Sequence, residues 1–450
     1  MRETRICRNL FHLPWSISFS SGRFSCYKNS DINHRVYLTE TPENRSEMDI
    51  YEYIEEKGDI PFSQEAFNEV DALVFAWLSY FEVEKMAESG VECRGMDLSH
   101  LVGKAEEVLG EFRKPSSFVK LVSTVTGAWM LSKAALKRRY SDVVMADFNT
   151  VFDPDNSIQF SATAYNIGSD IQVVAYRGTD TSVAGWKEDC LTSFCKTVPS
   201  QDLALQFLDS CPSSKRRIII TGHSKGGNLA IYAAAKCSRR IVSRIEAIYN
   251  FDGPGFCFDI RKTKNYPKIQ SFIHSFIPGS SIVGMLLNHM EDYTIVASSN
   301  VGIMQHYAFY WKIDGCRFVT QKKLSASSRS MAHAFRQWLQ SLSFDDRKKF
   351  VETVFSVFDD AGVDDFSTLS ADRFRKMRGV LSQMRNLDDQ AKSMVKTFFG
   401  VLMRAYRKEL KASAAETYGK VKDIVADKVS SASETYSKVK EMIIDKVKPH

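Results

Sequence analysis

Along residues 1–46 no apolar period is sustained. The stretch MRETRICRNLFHLPWSISFSSGRFS has a weakly apolar centre broken by His12, Pro14 and several serines, and it reads as a poorly ordered extension rather than a secretory signal. The first helical period follows Met48, where Phe67, Val70, Leu73, Val74, Trp77 and Leu78 recur on one helical spacing. Residues 100–140 continue as largely helical, amphipathic sequence, and from 141 the texture changes. FSATAYNIGSDIQVVAYRGTD (160–180) predicts two strands around a turn at Gly168-Ser169-Asp170, with a helix to follow at 200–210. The β-branched run Ile218-Ile219-Ile220 predicts a buried strand and Ala230–Lys236 a helix. Further strands are expected in RIEAIYNFDGPGF (244–256), KIQSFIHSFIP (268–278) and YTIVASS (293–299), and one more in FYWKIDGCRFV. Strands alternating with helices predict an α/β fold with a largely parallel sheet and its sites at the strand C-termini.

The pattern divides the chain into the extension, a domain over 47–320 with its sheet core at about 140–320, a charged helical region over 330–411, and a repeat over 412–450. In that last segment SAAETYGKVKDIVADKV (413–429) returns as SASETYSKVKEMIIDKV (431–447). Ala414, Tyr418, Val421, Val425, Val429, Ala432, Tyr436, Val439, Ile443 and Val447 step by about 3.67 residues, an 11-residue period. A long helix with a narrow apolar stripe and Lys, Asp and Glu flanks fits a helical partner, a membrane surface, or a return onto its own domain.

Composition narrows the function without choosing it. The chain has 450 residues, 44% apolar, and a net charge of +6, modest for this length. Nucleic acid is not an expected partner, since no zinc knuckle, RNA-binding signature or helix-turn-helix accompanies that charge. Nine cysteines stand singly without a C-x-x-C, which predicts reduced thiols in a cytoplasmic protein, with peripheral membrane contact open through the repeat. No apolar run reaches the roughly 18 residues that a spanning helix needs.

The candidate chemistry lies in IIITGHSKGGNLAIYAAAKC (218–237). Gly222-His223-Ser224-Lys225-Gly226-Gly227 is G-x-S-x-G between a strand and a helix, the setting of a nucleophile elbow. Ser224 would project its hydroxyl at the strand end, and the Lys225 N–H at the helix start would face a developing oxyanion. The phosphate-binding P-loop pattern is absent. A serine needs a base and a group to orient it. Four internal histidines follow Ser224: His274, His289, His306 and His333.

The sequence resembles the class 3 lipases, and more closely a bacterial branch of that superfamily. GHSKGGNLA resembles their G-H-S-L-G-G-A-L-A elbow. QHYAFYW resembles their H-x-x-x-E-Y-W segment, with Phe309 in place of the Glu, and YRGTD (176–180) their F-R-G-T/S loop. Trp186 matches an aromatic shortly after that loop. The resemblance spans about residues 140–315. It implies an α/β-hydrolase fold, His306 as base, and Thr179 as an oxyanion-hole N–H beside Lys225.

The acid departs from the family, whose DIVPRLP-like segment aligns with SIVGMLL (281–287), so that Ser281 stands at the Asp position. A serine cannot supply the charge that stabilises an imidazolium, so Ser281 is given no part in the relay. Asp252 in NFDGPGF lies one strand earlier, where pancreatic-type lipases carry their acid, and is the candidate; Asp259 and Asp292 are the next alternatives. Arg177 is read as structural, pairing with a carboxylate, and Lys225, Glu188 and Asp189 as solvated charges. The expected activity is hydrolysis of carboxylic esters, lipid esters among them, with neither metal nor organic cofactor. The rival reading is a hydrolase-fold scaffold that binds a partner or a membrane surface.

Overall fold

The computed structural model describes residues 15–20, 23–28, 47–112, 124–212, 214–300, 302–359, 362–365, 389 and 392–393. The chain divides into two units, Met1–Ser46 and Glu47–His450. In the first, β1 (Trp15–Ser20) and β2 (Arg23–Lys28) form an antiparallel hairpin within the stretch read as a poorly ordered extension.

The second unit opens with five helices: α1 (Ile50–Lys57), α2 (Glu69–Leu78), α3 (Val83–Glu88), α4 (Leu98–Leu109) and α5 (Thr124–Ala134). A capping box starts α2: the Asn68 side chain accepts from the Val70 and Asp71 N–H groups, and the Asp71 carboxylate accepts from the Asn68 N–H. From Val70 to Leu78 every residue of α2 is buried, as expected of a helix apolar on all sides. The Asp71 charge is matched by the Arg139 guanidinium, which donates to it at 2.6 and 2.8 Å, and by the Tyr140 hydroxyl at 2.7 Å.

Three antiparallel-paired strands follow, β3 (Val144–Asp153), β4 (Ile158–Ile167) and β5 (Ile171–Tyr176). After α6 (Val183–Leu191) and α7 (Pro199–Ser210) come β6 (Arg217–His223), α8 (Lys225–Lys236), α9 (Arg239–Val242), β7 (Ile245–Phe251), α10 (Tyr266–Ile269), β8 (Ile273–Pro278) and β9 (Tyr293–Val296). A two-stranded ribbon of β10 (Ile313–Asp314) and β11 (Arg317–Phe318) precedes α11 (Ala326–Gln340) and α12 (Phe344–Asp359). The main sheet runs β3-β4-β5-β6-β7-β8-β9, parallel from β5 onward.

Side-chain alternation sorts the strand residues between two cores. Ile218, Ile220, Val174, Tyr176 and Ile248 face α7 and α8; Ile219, Val173, Ala175 and Ala247 face α2. Each crossover after β5 steps one strand in the same direction, and the fixed right hand of such crossovers puts their helices on one face. The other face therefore needs a cover from outside the crossovers, and α2 supplies it. The Thr221 hydroxyl fastens that contact by donating to the Ala72 carbonyl at 2.9 Å.

The mixed, mostly parallel α/β sheet agrees with the expected class, with helices before and after it. Within the sheet region the structure departs from the sequence reading in several places. β3 has no strand signature in the sequence, because as a half-exposed edge it has no clean alternation. The strand in 268–278 begins only at Ile273, after α10 and a 3₁₀ turn. FYWKIDGCRFV forms the small separate ribbon rather than another strand of the main sheet.

α12 packs on α6 through Phe350, Val351 and Phe355 against Val183 and Phe194. Beyond α12, the 330–411 region is described only at 362–365, 389 and 392–393, and the whole 412–450 repeat lies outside the described residues. Cys93, Cys190, Cys195, Cys211, Cys237, Cys257 and Cys316 are free thiols. Among those residues no helix is long and apolar enough to cross a membrane.

Candidate active site

The turn between β6 and α8 is built by exclusion of side chains. A Cβ at Gly222 would stand 2.2 Å from the Gly226 backbone, and one at Gly226 would stand 2.1 Å from the Tyr176 carbonyl. Glycine at both positions lets the strand and helix meet, and Ser224 between them takes φ 58°, ψ −130°. A non-glycine residue held there stores on the order of 1–3 kcal/mol. The Ser224 N–H donates to the Phe251 carbonyl at 2.9 Å, which ties the turn to the end of β7.

Three loops then converge. His306 Nε2 lies 3.1 Å from Ser224 Oγ, and His306 Nδ1 lies 2.6 Å from Asp252 Oδ2. With Nδ1–H donating to the carboxylate, Nε2 is left to accept from the serine hydroxyl. Asp252 follows β7 with φ 53°, a conformation that Asp tolerates better than most residues, and it is fully buried. Its other oxygen, Oδ1, accepts from the Ser281 hydroxyl at 2.5 Å and the Gly284 N–H at 3.1 Å.

That contact corrects the reading of Ser281 as having no part: its hydroxyl is a donor to the candidate acid. The loop of residues 281–284 thus reaches the candidate acid from the far side of β8. Of the alternatives, Asp259 pairs with Arg261 and Asp292 is exposed. His274 and His333 are exposed, and His289 pairs with Glu291 at 2.9 Å.

The His306 segment is held from several sides. The His223 ring contacts the His306 carbonyl through Nε2 at 2.7 Å and the Tyr80 hydroxyl through Nδ1 at 3.2 Å. Burial, reinforced by His306, holds the His223 pKa well below the ordinary histidine value, so the ring is neutral: Nε2–H donates and Nδ1 accepts. Trp311 is fully buried and donates to the Gln305 carbonyl at 2.8 Å. Phe309 stacks on Tyr307 and packs against Trp77, with ring centroids 4.5 and 4.3 Å away. An apolar ring suits that enclosed position better than a carboxylate.

The loop after β5 lies against Ser224. A Cβ at Gly178 would stand 3.2 Å from Ser224 Cβ and 2.1 Å from the Tyr80 hydroxyl. Among the described residues neither the Thr179 nor the Lys225 N–H donates a hydrogen bond. The Thr179 hydroxyl donates to Asp189 at 2.5 Å. Burial pushes the Asp189 pKa up to about 6; the neighbouring Glu188 charge adds to the rise, and Lys225, the Thr179 hydroxyl and His306 oppose it. Arg177 is buried and pairs with Glu84 at 2.7 Å, the structural role expected of it. Trp186 is exposed on α6, its indole N–H donating to the Asp180 carbonyl at 3.1 Å.

Lys225 and Glu188 are not solvated charges. Both are buried, and Lys225 at the start of α8 pairs at 3.0 Å with Glu188 of α6. Asp189 is partly buried in the same network. Sequence spacing carries no signal for these contacts, nor for Gln159, Tyr80 or His223 beyond its place in the elbow. Among the described residues no group of three or more His, Cys, Asp or Glu side chains is placed to hold a metal.

The serine turn stands at the end of β6, a central parallel strand of a mixed, mostly parallel α/β sheet. Residues 134–356 match the family model described as Mbeg1-like, a lipase-like α/β-hydrolase group. A comparison with curated proteins finds no match.

Proposed function

We propose that the protein is a serine hydrolase that cleaves carboxylic esters, lipid esters among them, through an acyl-enzyme. The observation that carries this reading is the continuous contact from Ser224 Oγ through His306 to Asp252, assembled from three loops at the C-terminal ends of parallel strands.

In this reading Ser224 Oγ attacks the acyl carbon while its proton passes to His306 Nε2. Asp252 holds the imidazole in the tautomer that can accept that proton and stabilises the imidazolium that results. The Thr179 and Lys225 N–H groups receive the negative charge on the carbonyl oxygen, aided by the N-terminus of α8. Collapse of the tetrahedral intermediate breaks the ester bond, and His306 gives its proton to the leaving alkoxide. Water then attacks the acyl-enzyme with His306 again as base, releasing the carboxylic acid and restoring Ser224.

A fluorophosphonate probe and a panel of p-nitrophenyl esters from acetate to palmitate test the reading. The wild type should label and turn over, and folded Ser224→Ala should do neither. Hydrolysis by Ser224→Ala at the wild-type rate would remove this site from the reaction. Thioester and amide analogues in the same assay decide which leaving group is preferred, since all three use the same machinery.

A further inference from the structure

We infer that Gln159 and Lys225 form a positioning device that sets the direction of the Thr179 oxyanion donor and couples it to the Lys225 donor; the inference rests on the hydrolase reading above. The Lys225 side chain leaves the first position of α8 and turns into the protein, where only 2% of the residue is exposed. Its ammonium group donates to the Gln159 carbonyl at 2.5 Å, to Gln159 Oε1 at 2.7 Å and to Glu188 Oε2 at 3.0 Å. Three donors therefore meet three acceptors. Gln159 is itself buried on β4, and its Nε2 donates to the Gly178 carbonyl at 3.5 Å, a long bond.

The Gly178 carbonyl and the Thr179 N–H belong to one planar peptide and point in opposite directions. Whatever fixes that carbonyl fixes the N–H. Lys225 thus contributes its own N–H to the oxyanion site and, through Gln159, orients the peptide that supplies the other. Glu188 completes the network: Oε1 accepts from the Ser200 N–H at 2.9 Å and Oε2 from the Ser200 hydroxyl at 2.6 Å.

Stability alone does not call for this arrangement. Apolar residues of similar volume would fill the space without desolvating a charge pair, and such replacements are often neutral or stabilising. A rigid polar network is what preorganised oxyanion donors need, because their value depends on requiring no reorganisation as charge develops.

Gln159→Leu and Gln159→Glu test the device, with kcat and KM measured on one p-nitrophenyl ester and inhibition by an alkyl boronic acid that forms a tetrahedral serine adduct. Gln159→Glu keeps an acceptor for Lys225 but loses the donor to Gly178. If the device works as described, both variants lower kcat by about 10-fold, less than the roughly 10²–10³-fold that follows loss of an entire donor. KM should stay within about 2-fold, and boronic acid affinity should fall in step with kcat, as for an interaction made only in the transition state. Circular dichroism confirms folding, and if Gln159→Leu fails to fold, Gln159→Glu carries the same test. A wild-type kcat in Gln159→Glu overturns the device while leaving the hydrolase reading intact. A wild type that neither labels with fluorophosphonate nor hydrolyses any ester overturns that reading and the device with it.

Discussion

At the scale of single residues the acid loop is where sequence and geometry differ most. The Ser281 hydroxyl, read from the sequence as having no part, donates to the carboxylate of Asp252, which lies one strand earlier. Asp252→Asn is expected to fold and to lose on the order of 10⁴-fold in turnover through the wrong imidazole tautomer. Ser281→Ala should not be silent: removing a hydrogen bond to a buried charge costs about 1.5–3 kcal/mol of stability, readable in urea unfolding, with a smaller fall in kcat. Ser281→Asp in the Asp252→Asn background should recover part of the activity, because both loops reach the same side of His306; no recovery would mean that the Ser281 loop cannot present a carboxylate to Nδ1. Asp189 gives a prediction in pH. Its carboxyl has a pKa near 3.9 in the unfolded chain and about 6 in the fold, so the unfolded state releases its proton first. The contribution to stability is present below about pH 4 and is lost as pH rises through about 6. Asp189→Asn should therefore melt increasingly above the wild type from pH 4 to 6, with a constant difference above 7. A difference that does not change over that range would show that Asp189 does not titrate as described.

At the scale of elements, the segment after α12 returns to the loop that carries the candidate oxyanion donor. Asp365 pairs with Ser182 as an isolated antiparallel bridge, its carboxylate accepts from the Thr181 hydroxyl at 2.6 Å, and the Asp364 carbonyl accepts from the Val183 N–H at 2.9 Å. Val363 is fully buried with Val183, Phe350 and Phe355. Val363→Ala, which deletes two buried methyl-scale groups, should cost about 2 kcal/mol and lower kcat by loosening residues 180–183. Equal activity and unchanged stability in denaturant would mean that this strap leaves the loop unaffected. The helical patterns of α11 and α12 are legible in the sequence. The docking of α12 on α6 is not, because the apolar stripe of an amphipathic helix records that it is covered and not by what.

At the scale of the whole molecule, the sheet needs α2 as much as its own crossovers. A chain beginning at residue 134, where the family match starts, would leave Ile219, Val173 and Ala247 without their cover. It is expected to aggregate, whereas a chain beginning at Glu47 should remain folded; a monomeric, folded 134–450 chain by light scattering and circular dichroism would show that α2 is dispensable. Leu73→Ala within α2 should cost about 2–5 kcal/mol and shift the unfolding of the entire domain rather than of a separable helix.

Sequence by itself determined the local devices. Gly222, Ser224 and Gly226 specify a turn that only small residues can make, the isoleucines before it specify a buried strand, and the apolar period of 67–78 specifies an enclosed helix. Each depends on contacts within a few positions, so spacing alone records it. Tertiary structure decided the contacts between distant segments: Asp252 rather than Ser281 beside His306, Lys225 and Glu188 buried as a pair, and α2 on the open face of the sheet. A hydroxyl, an ammonium and a carboxylate each have many compatible partners, and the chain's crossing pattern, which brings residues 159, 178, 188 and 225 within hydrogen-bond reach, chose among them.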